Sequence, residues 1–464
     1  MNLAKGLIAL LLGVLVLVAS GAAPDRGAAQ DARLVIYVRV ADEYPPDLTL
    51  TLAALHLSGA TSPVSLNPRQ QRLNAPDVAG RTVRLVDQIV PPGAYESLIL
   101  QFQEIEGMVG KAHVRLPDRP AATVVKPGLD LEPGAARLLV VEWRPHPLDP
   151  DTSIYRPYLR AVQPDIPPLG SLVFVSNSGA DYISIIDRQD RAVVGVLRTG
   201  EGPSGLAFSP RSQRLFIACT GSDEILAVDA LSRRVIRAAK LSFGDEPTRI
   251  LLSDDEETLF VLNSGSRVLS VLDAAALQEL SRVPLPEGPG GMAVDPRTGR
   301  LYVSAELAGE ILVFDPALGR EVRRLSIPAG PGEIALDPTA GQLHVASPLQ
   351  KQVLVLDLDS GGIAARFTLC SPPSGMVFDS RSRRLYAAAS HCRELAILMP
   401  SANLMVDTAR LPAEPGLIEL DRDARELLIA LPDRNQLLVY SLTGLRPEAQ
   451  IEVGDAPYMG AAGQ

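Results

Sequence analysis

Short apolar segments recur at a nearly constant interval over the last two thirds of this chain. Successive copies start at Val173, Leu215, Leu259, Leu301, Leu343, Leu385 and Leu427, and every interval is equal except the slightly longer second one. A proline recurs at a matching distance after each start, at Pro203, Pro247, Pro289, Pro331, Pro373, Pro415 and Pro457. Two independent markers that keep one period through seven copies indicate a repeat architecture.

Each copy contains four short apolar segments. The fourth copy has them at 301–304, 310–315, 321–326 and 333–337, divided by turns that contain glycine and proline. Four strands in about 42 residues are typical of a propeller blade, whereas a helical solenoid would repeat its apolar positions every 3.6 residues. The pattern therefore predicts an all-β chain in which residues 172–464 form a seven-bladed β-propeller.

The two ends of the repeat array complement each other. The array opens with the strand at 173–176 and lacks the proline-initiated strand that precedes it in the other copies. It ends with that missing strand, at 457–462. We expect the C-terminal segment to become the innermost strand of the first blade, because strand exchange of this kind hides the edges of an open ring.

The copies resemble the YVTN family of β-propeller repeats. In the first copy the family pattern survives as Phe-Val-Ser-Asn at 174–177, Ile-Asp at 186–187 and Gly-Glu-Gly-Pro at 200–203. The asparagine recurs as Asn263 and is replaced in the remaining copies. The resemblance covers residues 172–464 and implies the fold, but it implies no single activity because the scaffold hosts unrelated roles.

Residues 31–144 lack the repeat but alternate between apolar and polar positions. Leu34, Ile36 and Val38 fall on one face of a predicted strand, and residues 136–143 continue the same kind of pattern. These segments, separated by proline-containing turns, predict a β-sandwich of about seven strands. We place this domain at residues 31–162, with a last strand near its end.

Two further segments bear on the N-terminal domain. The stretches 89–98 and 155–162 resemble a bacterial secreted β-sandwich family of unassigned function, which implies export and a binding or structural role. Seven prolines occur between Arg144 and Gly170. We therefore expect residues 163–171 to be a stiff, extended, proline-rich linker between the sandwich and the propeller.

Residues 1–29 have the pattern of a secretory signal peptide. Lys5 precedes an apolar run at 7–19, and small residues follow, with cleavage expected between Gly21 and Ala29. The run is shorter than the roughly 20 apolar residues of a membrane-spanning helix, which favours a cleavable signal peptide over the alternative, an uncleaved anchor. We predict an exported protein, periplasmic or extracellular, whose mature chain has no transmembrane span.

Charge and motifs narrow the classes of partner. The formal net charge is −10 and the pI is near 5.2, whereas nucleic-acid binding requires a basic face, so we predict no nucleic-acid partner. The sequence contains no metal-binding histidine pair, phosphate-binding glycine loop, serine-hydrolase elbow or haem-attachment motif. We therefore predict no cofactor, no metal site and no catalytic residues.

Three cysteines occur in the chain, and export makes a disulfide chemically feasible. If strands alternate in direction within a blade, Cys370 precedes the innermost strand and Cys392 lies between the second and third strands of the same blade. Both loops then lie on one face. We predict a disulfide between Cys370 and Cys392, with two separate thiols as the alternative, and a semi-buried, inert thiol at Cys219.

The loops around the propeller axis form the expected ligand site. Residues that directly follow the repeated prolines, such as Ser204, should line the mouth of the channel. Larger polar groups nearby make up the candidate ligand-binding set: Arg249, Glu333, Tyr458, His391, Arg393, Asn177 and Asn263. A cluster of this kind at a channel mouth suits ligand binding, and an ordinary solvated rim is the alternative interpretation.

Taken together, these features predict a non-catalytic scaffold at the cell envelope or outside the cell. Its expected partner is a protein or cell-surface component, with room for a small ligand at the propeller channel. One alternative is a lactonase-like or other hydrolytic propeller enzyme, with a channel-mouth site drawn from Arg249, Glu333, His391 and Tyr458. A structural surface-layer component is another alternative.

Overall fold

The computed structural model describes residues 31–41, 45–59, 62–109, 112–114, 121–144, 155 and 157–462. The predicted signal peptide lies outside these residues. Within the described part the chain is almost entirely β, with 39 strands, one short α-helix and three 3-10 turns at Leu169–Ser171, Pro400–Ala402 and Pro432–Arg434. None of its helices has the length and apolarity needed to cross a membrane.

The N-terminal domain is a β-sandwich of two sheets. Its elements are β1 (Ala32–Val40), β2 (Leu48–Gly59), β3 (Val64–Leu66), β4 (Arg72–Asn74), α1 (Ala75–Val78), β5 (Thr82–Val90), β6 (Gly93–Val109), β7 (Ala112–His113), β8 (Ala121–Val125), β9 (Leu129–Leu131), β10 (Ala136–Arg144) and β11 (Tyr158–Val162). One sheet has the order β11-β10-β1-β5, with β1 and β10 parallel. The other is built around the long β2–β6 pair.

Strand β1 is buried on both of its faces. Leu34, Ile36 and Val38 belong to the core between the two sheets, as their alternation predicts. Val35 and Tyr37 point the other way and pack against the propeller. The strand therefore contributes side chains to two hydrophobic cores, which accounts for its mainly apolar sequence.

Residues 172–462 form seven four-stranded antiparallel sheets. Sheet 1 begins with β12 (Leu172–Asn177), β13 (Tyr182–Asp187) and β14 (Ala192–Arg198). Sheet 2 contains β15 (Pro203–Ser209), β16 (Arg214–Cys219), β17 (Glu224–Asp229) and β18 (Arg234–Lys240), and sheet 3 contains β19 (Pro247–Leu252), β20 (Thr258–Asn263), β21 (Val268–Asp273) and β22 (Glu279–Pro284). Sheet 4 contains β23 (Pro289–Val294), β24 (Leu301–Ala305), β25 (Glu310–Asp315) and β26 (Arg320–Ser326).

The remaining sheets repeat this arrangement. Sheet 5 contains β27 (Ile334–Asp337), β28 (Gln342–Ser347), β29 (Gln352–Asp357) and β30 (Ile363–Thr368). Sheet 6 contains β31 (Pro373–Asp379), β32 (Arg384–Ala389), β33 (Glu394–Met399) and β34 (Leu404–Arg410). Sheet 7 contains β35 (Ile418–Asp421), β36 (Glu426–Leu431), β37 (Gln436–Ser441) and β38 (Arg446–Glu452), and the last strand of the chain is β39 (Pro457–Ala462).

We count the strands of each sheet outward from the axis and call the first of them the inner strand, which in sheet 1 is β39. β15, β19, β23, β27, β31 and β35 contact one another in this order, and β39 contacts both β35 and β15. β39 also pairs with β12, with Phe174 opposite Ala461 and Val175 opposite Gly460. β39 therefore lies beside β12 at the inner edge of sheet 1.

Glycine allows alternate inner strands to approach their neighbours closely. We call the recurring proline before each inner strand, or at its start, the leading proline. Gly205, Gly291 and Gly375 each stand two residues after the leading proline of sheets 2, 4 and 6. A Cβ atom added at any of them would lie within 2.9 Å of backbone atoms of the next inner strand. Side chains that point into the channel at this position therefore come from the sheets between them.

The segment that we predicted to be a stiff, extended linker packs against the propeller. Gln163 donates a hydrogen bond to the carbonyl oxygen of Pro127 at 3.2 Å. Ile166 packs against the core between sheets 1 and 2, and Leu169 is buried in that core. A 3-10 turn at Leu169–Ser171 then leads into β12. Apolar residues among the prolines hold the segment in place.

The sandwich packs over the junction between sheets 1 and 7. Val35 and Val140 of the sandwich share a hydrophobic core with Val193 of sheet 1 and with Leu437 and Ile451 of sheet 7. This is the junction at which the C-terminal strand inserts, so the sandwich covers the place where the two ends of the repeat array meet.

A buried arginine reinforces the same junction. Arg84 of β5 donates hydrogen bonds to Asp87 at 3.2 Å, to the Tyr182 hydroxyl at 3.1 Å and to Asp455 at 2.6 Å. Its side chain has no exposed surface. Burial raises the pKa of Tyr182, so its hydroxyl stays neutral, and it donates to Asp87 at 3.0 Å. One guanidinium thus joins the sandwich, sheet 1 and the segment that leads into β39.

Candidate functional site

Two kinds of loop form one face of the propeller, which we call the upper face. These are the loops that lead into the inner strands and the loops between the second and third strands of each sheet. They are joined by backbone hydrogen bonds, such as Ser264 to Glu246 at 3.1 Å and Glu306 to Gly288 at 2.7 Å. The opposite face, formed by the other turns, is the lower face.

Three residues of the predicted ligand-binding set meet in the channel near the upper face. The Arg249 guanidinium forms an ion pair with the Glu333 carboxylate, and both side chains are largely buried, with 15% and 21% of their surface exposed. The same guanidinium lies over the Tyr458 ring, 5.5 Å from its centroid. The ion pair joins sheets 3 and 5, while Tyr458 belongs to sheet 1.

Glycine in the intervening sheet makes this ion pair possible. Sheet 4 separates sheets 3 and 5, and it carries Gly291 where they carry Arg249 and Glu333. No side chain at Gly291 therefore stands between the two charged groups. The periodic alignment of the repeats contains this signal, since Arg249 and Glu333 occupy the same position of copies that are two apart.

A cavity of about 130 Å³ lies beside the ion pair, within the ring of inner strands. Its walls come from sheets 1 and 3 to 7 and are mostly apolar, with three methionines among them: Met292, Met376 and Met459. The charged groups that line it are Arg249, Glu333 and Glu419. We call this the upper cavity.

Glu419 is the residue of the site that sequence reasoning missed. It stands four residues after its leading proline, where the other copies carry Ala207, Leu251, Ala293, Ala335, Val377 and Ala461. Burial inside the ring raises the pKa of Glu419 to about 7, while Arg422 and Arg249 favour its charged form. The single acidic residue at an otherwise apolar position of the repeat was the available signal.

A second hollow, the lower cavity, opens the channel toward the lower face. Its volume is about 480 Å³, and its lining is mainly apolar, including Leu252, Val294, Leu336 and Phe378. Leu251, Met292, Ile334, Met376 and Val377 line both hollows. The two cavities therefore adjoin each other along the channel.

Two asparagines of the predicted set are not channel residues, which corrects the prediction. Asn177 and Asn263 are fully buried. Asn177 donates to Ser184 at 3.0 Å, and Asn263 donates to Ser270 at 2.8 Å, in each case seven residues further along the chain. These side chains tie the second strand of a sheet to the third, so they have a role in the scaffold.

The serine seven residues later was the signal for this role. It accompanies the asparagine in both copies that keep it, and copies without the asparagine have an apolar residue there: Leu226, Leu312, Leu354, Ala396 and Leu438. A buried amide needs a hydrogen-bond partner, whereas an apolar side chain does not. The two positions therefore change together.

His391 and Arg393 lie on the upper face but contact other groups. The Nδ1 atom of His391 is 3.6 Å from a carboxylate oxygen of Glu414, and the imidazole is 72% exposed. Arg393 is exposed in the same loop, where its backbone N–H donates to Ser390 at 3.0 Å. These two residues belong to the rim, and they do not share the contacts of the Arg249–Glu333 pair.

Two serines that directly follow leading prolines form hydrogen bonds between neighbouring sheets. We expected Ser204 to line the mouth of the channel, and this expectation is wrong. Ser204 is 3% exposed and donates to the carbonyl oxygen of Pro247 in the next inner strand at 3.1 Å. Ser374 makes the equivalent bond to Pro415 at 2.8 Å. Each hydroxyl satisfies a backbone acceptor of the neighbouring sheet.

The two cysteines that we predicted to lie in loops of the same face do so. Cys370 and Cys392 are joined by a disulfide on the upper face of sheet 6, with their Cα atoms 6.2 Å apart. Cys219 is a buried free thiol, and burial raises its pKa to about 12. A thiol with so high a pKa is a poor nucleophile. Among the described residues, no three His, Cys, Asp or Glu side chains are placed to hold a metal ion.

Larger hollows run along the junction of the two domains. One, of about 670 Å³, lies between the linker and Leu138, and another, of about 500 Å³, lies between Arg72 and Gln450. They are grooves between packed domains. The channel differs because apolar walls surround a few convergent charged groups, the arrangement found in most small-molecule sites.

Three large apolar side chains project from the upper face over neighbouring sheets. Phe243 lies in the loop that leads into sheet 3, while Leu307 and Leu349 lie between the second and third strands of sheets 4 and 5. Their exposed fractions are 102%, 75% and 70%. No other face position of these sheets combines such size with such exposure in the described chain.

Comparison with known proteins supports the fold. No protein-family model and no curated protein sequence matches the chain. It is similar to the dihydro-heme d1 dehydrogenase NirN in complex with DHE, at 17% identity and a TM-score of 0.49, covering 65% of this chain and 77% of that one. It is also similar to Kuenenia stuttgartiensis hydrazine synthase, at 20% identity and a TM-score of 0.51, covering 60% and 94%.

A further similar structure is a functionally unknown protein from Desulfotomaculum acetoxidans DSM 771, at 12% identity and a TM-score of 0.55, covering 63% and 98%. At such low identities these likenesses concern the fold alone. Of the two structures with the higher TM-scores, hydrazine synthase is of the propeller type. The chain is an all-β protein in which a β-sandwich precedes a β-propeller.

Proposed function

We propose that this chain is an exported, non-catalytic propeller protein that acts as a binding scaffold at the cell envelope or outside the cell. Its partner is a protein or cell-surface component, and its location is periplasmic or extracellular. The observation that carries the proposal is the exposed apolar set on the upper face, formed by Phe243, Leu307 and Leu349. Exposed apolar side chains grouped on one face mark interaction surfaces.

The repeat itself shows that these leucines are not required by the scaffold. Leu307 and Leu349 stand at the second position of the loop between the second and third strands. Sheets 1, 2 and 3 carry Gly179, Gly221 and Gly265 at this position. A glycine suffices for the turn, so the leucines add apolar surface that the fold does not need.

The described part of the sandwich lies away from this surface. The sandwich packs against sheets 1 and 7 through residues such as Val35 and Tyr37. The apolar set lies over sheets 3 to 5, on the far side of the ring. A rigid ring that carries the sandwich on one side and an exposed apolar set on the opposite side suits a protein that connects two components.

The proposal includes seven blades closed by strand exchange, with repeats of the YVTN type. The cyclic contacts of the inner strands and the pairing of β39 with β12 support the blade count and the closure. The recurring Asn177–Ser184 and Asn263–Ser270 pairs support the repeat type, because they give the pattern's asparagine a structural reason.

The lactonase-like alternative has less support. It requires Arg249 and Glu333 to act on a substrate at the channel mouth. These two groups neutralise each other in an ion pair, and the imidazole of His391 lies beside Glu414 instead of joining them. Catalysis there would first have to break an established contact.

Site-specific photo-crosslinking tests the scaffold proposal. Benzoylphenylalanine is introduced at position 243, 307 or 349 of the full chain, and the source cells are irradiated. We expect the same crosslinked protein or glycan component from all three positions. Leu231, Leu280 and Leu404 provide matched controls, since they are 53–61% exposed but lie on the lower face or on outer strands.

The variant Phe243→Ser/Leu307→Ser/Leu349→Ser should lose co-purification of that component while it keeps its circular dichroism and melting temperature. Equal crosslinking at the three control positions would mean that the contacts are non-specific. A partner retained by the triple variant would contradict a role for the upper face.

A further inference from the structure

The channel combines apolar walls with an unequal number of positive and negative charges. Two carboxylates, Glu333 and Glu419, and one guanidinium, Arg249, line the upper cavity. Arg249 and Glu333 form an ion pair with each other. Two negative groups against one positive group leave the cavity one uncompensated negative charge when Glu419 is ionised.

Glu419 has no side-chain partner in the described part of the chain. The backbone N–H of Leu420 is its hydrogen-bond donor. The other charged groups that face it are Asp421, which is already bound to Arg188 at 2.8 Å, and Arg422. Arg422 lies at the rim of the lower cavity and favours the charged form of Glu419, but no ion pair joins these two side chains. The carboxylate is thus free to accept a ligand.

The two ends of the channel differ in access. The Arg249–Glu333 pair and the Tyr458 ring lie across the upper end. The lower cavity is larger, about 480 Å³ against about 130 Å³, and it is bordered by side chains such as Leu336 and Phe378. A ligand would therefore enter from the lower face and reach Glu419 with its leading end.

We propose that the propeller channel binds a small organic cation, with one ammonium group and a short apolar tail, through the carboxylate of Glu419. The ammonium group would occupy the upper cavity, where it supplies the missing positive charge and donates hydrogen bonds to the carboxylate. The tail would lie in the lower cavity, where its removal from water against Leu252, Val294 and Phe378 favours binding. One charge suffices because only one carboxylate lacks a partner.

The ionisation of Glu419 supports this choice of ligand. Burial raises the pKa of its carboxyl to about 7, so the carboxyl is only partly ionised at neutral pH. A bound cation favours the ionised form and lowers that pKa. Binding at pH 7 should therefore release protons, and affinity should fall as the pH decreases below 7.

Calorimetry with three six-carbon probes tests the inference on the full chain. The probes are hexylammonium, 1-hexanol and hexanoate, which share the tail and differ in the charge of the head group. At pH 8 we expect hexylammonium to bind about tenfold or more tightly than 1-hexanol, and hexanoate to bind weakest. At pH 7, titrations in two buffers of different ionisation enthalpy should show release of about half a proton per ligand.

Two amide variants separate Glu419 from carboxylates in general. Glu419→Gln should lower the affinity for hexylammonium to that for 1-hexanol and abolish proton release. Glu414→Gln is the matched control, because Glu414 lies on the rim beside His391 and should keep the native affinity. Circular dichroism and melting of both variants establish that they are folded.

Three outcomes would overturn the inference: unchanged affinity in folded Glu419→Gln, binding of 1-hexanol as tight as that of hexylammonium, or no binding of hexylammonium at millimolar concentration. This channel site goes beyond the scaffold proposal, which concerns the upper face. Crosslinking at the upper face and calorimetry in the channel measure different surfaces, so either proposal can fail alone.

Discussion

Glu419 places one ionisable carboxyl group inside a ring of apolar strands. A carboxylate at this position loses hydration, and burial raises its pKa to about 7 from an ordinary value of 4.5. Because the folded protein holds this proton more tightly than the unfolded chain, the contribution to folding stability is fully present below pH 4.5. It is lost as the pH rises through 7.

The variant Glu419→Gln should remove this pH dependence. We compare the unfolding free energy of the variant with that of the native protein at each pH. We expect this difference to be about 1–3 kcal/mol more in favour of the variant at pH 8 than at pH 5. Urea unfolding of both proteins at the two pH values measures the difference. The same stability gap at pH 5 and pH 8 would show that the carboxyl titrates at an ordinary pKa.

Single residues also decide which parts of the repeat are scaffold and which are free to vary. Asn177 and Asn263 hold neighbouring strands together, and Gly205, Gly291 and Gly375 permit close approach of the inner strands. Arg249 and Glu333 occupy the same repeat position as these glycines. One position thus serves packing in some copies and carries charge in others.

At the scale of elements, the strand β39 determines whether sheet 1 is complete. It supplies the inner strand beside β12, and it contacts the inner strands on both sides. Without it, β12 would have an unpaired edge at the centre of the ring, and the neighbouring inner strands would lose their contact. Unpaired strand edges also promote aggregation.

Deletion of residues 457–464 should therefore destabilise the whole propeller. The loss of a strand's worth of backbone hydrogen bonds corresponds to about 3–6 kcal/mol. We would measure the melting temperature of the truncated protein and its elution volume in size-exclusion chromatography. We expect the elution volume to indicate aggregation. Deletion of residues 463 and 464 alone is the control, since the strand ends at Ala462. Unchanged melting after the longer deletion would contradict this role of β39.

At the scale of the whole molecule, the sandwich and the propeller share one hydrophobic core and one buried ion network. Tyr37 of the sandwich packs with Tyr182 of sheet 1, and Arg84 joins Asp87 of its own strand to Asp455. Loss of one partner from a buried charge network leaves the others unpaired. The two domains should therefore unfold together.

The variant Arg84→Met tests this coupling. We expect a loss of about 3–5 kcal/mol in unfolding free energy. The single tryptophan, Trp143, lies in the sandwich core, so its fluorescence follows that domain, while circular dichroism follows mainly the propeller. The two transitions should coincide in the native protein and separate in the variant.

Arg72→Met is the matched control for this prediction. Arg72 pairs with Glu106 at 2.6 Å, but the two side chains are 62% and 50% exposed, and such surface pairs contribute less than about 1 kcal/mol. Separate transitions already in the native protein would show that the domains are independent. Equal losses in the two variants would show that burial of Arg84 adds nothing.

The sequence by itself determined the features that recur from one copy of the repeat to the next. The period defines the strands of each sheet and the phase of β39, and the loops defined in this way bring Cys370 and Cys392 onto one face. The repeat also placed Arg249 and Glu333 in one candidate set at the channel mouth, and the structure shows that they form an ion pair. These features depend on local pairing and strand direction, which alternating apolar positions encode directly.

Only the tertiary structure decided what happens between distant segments. The pattern of β1 gives one core face, and docking onto sheets 1 and 7 decides that Val35 and Tyr37 face a second core. Asn177 is polar in sequence, yet the sheet buries it. Glu419 acquires its raised pKa from strands far away in the chain. Burial and charge environment depend on which surfaces meet when the ring forms and the sandwich docks, and the repeat marks unusual positions without specifying these long-range contacts.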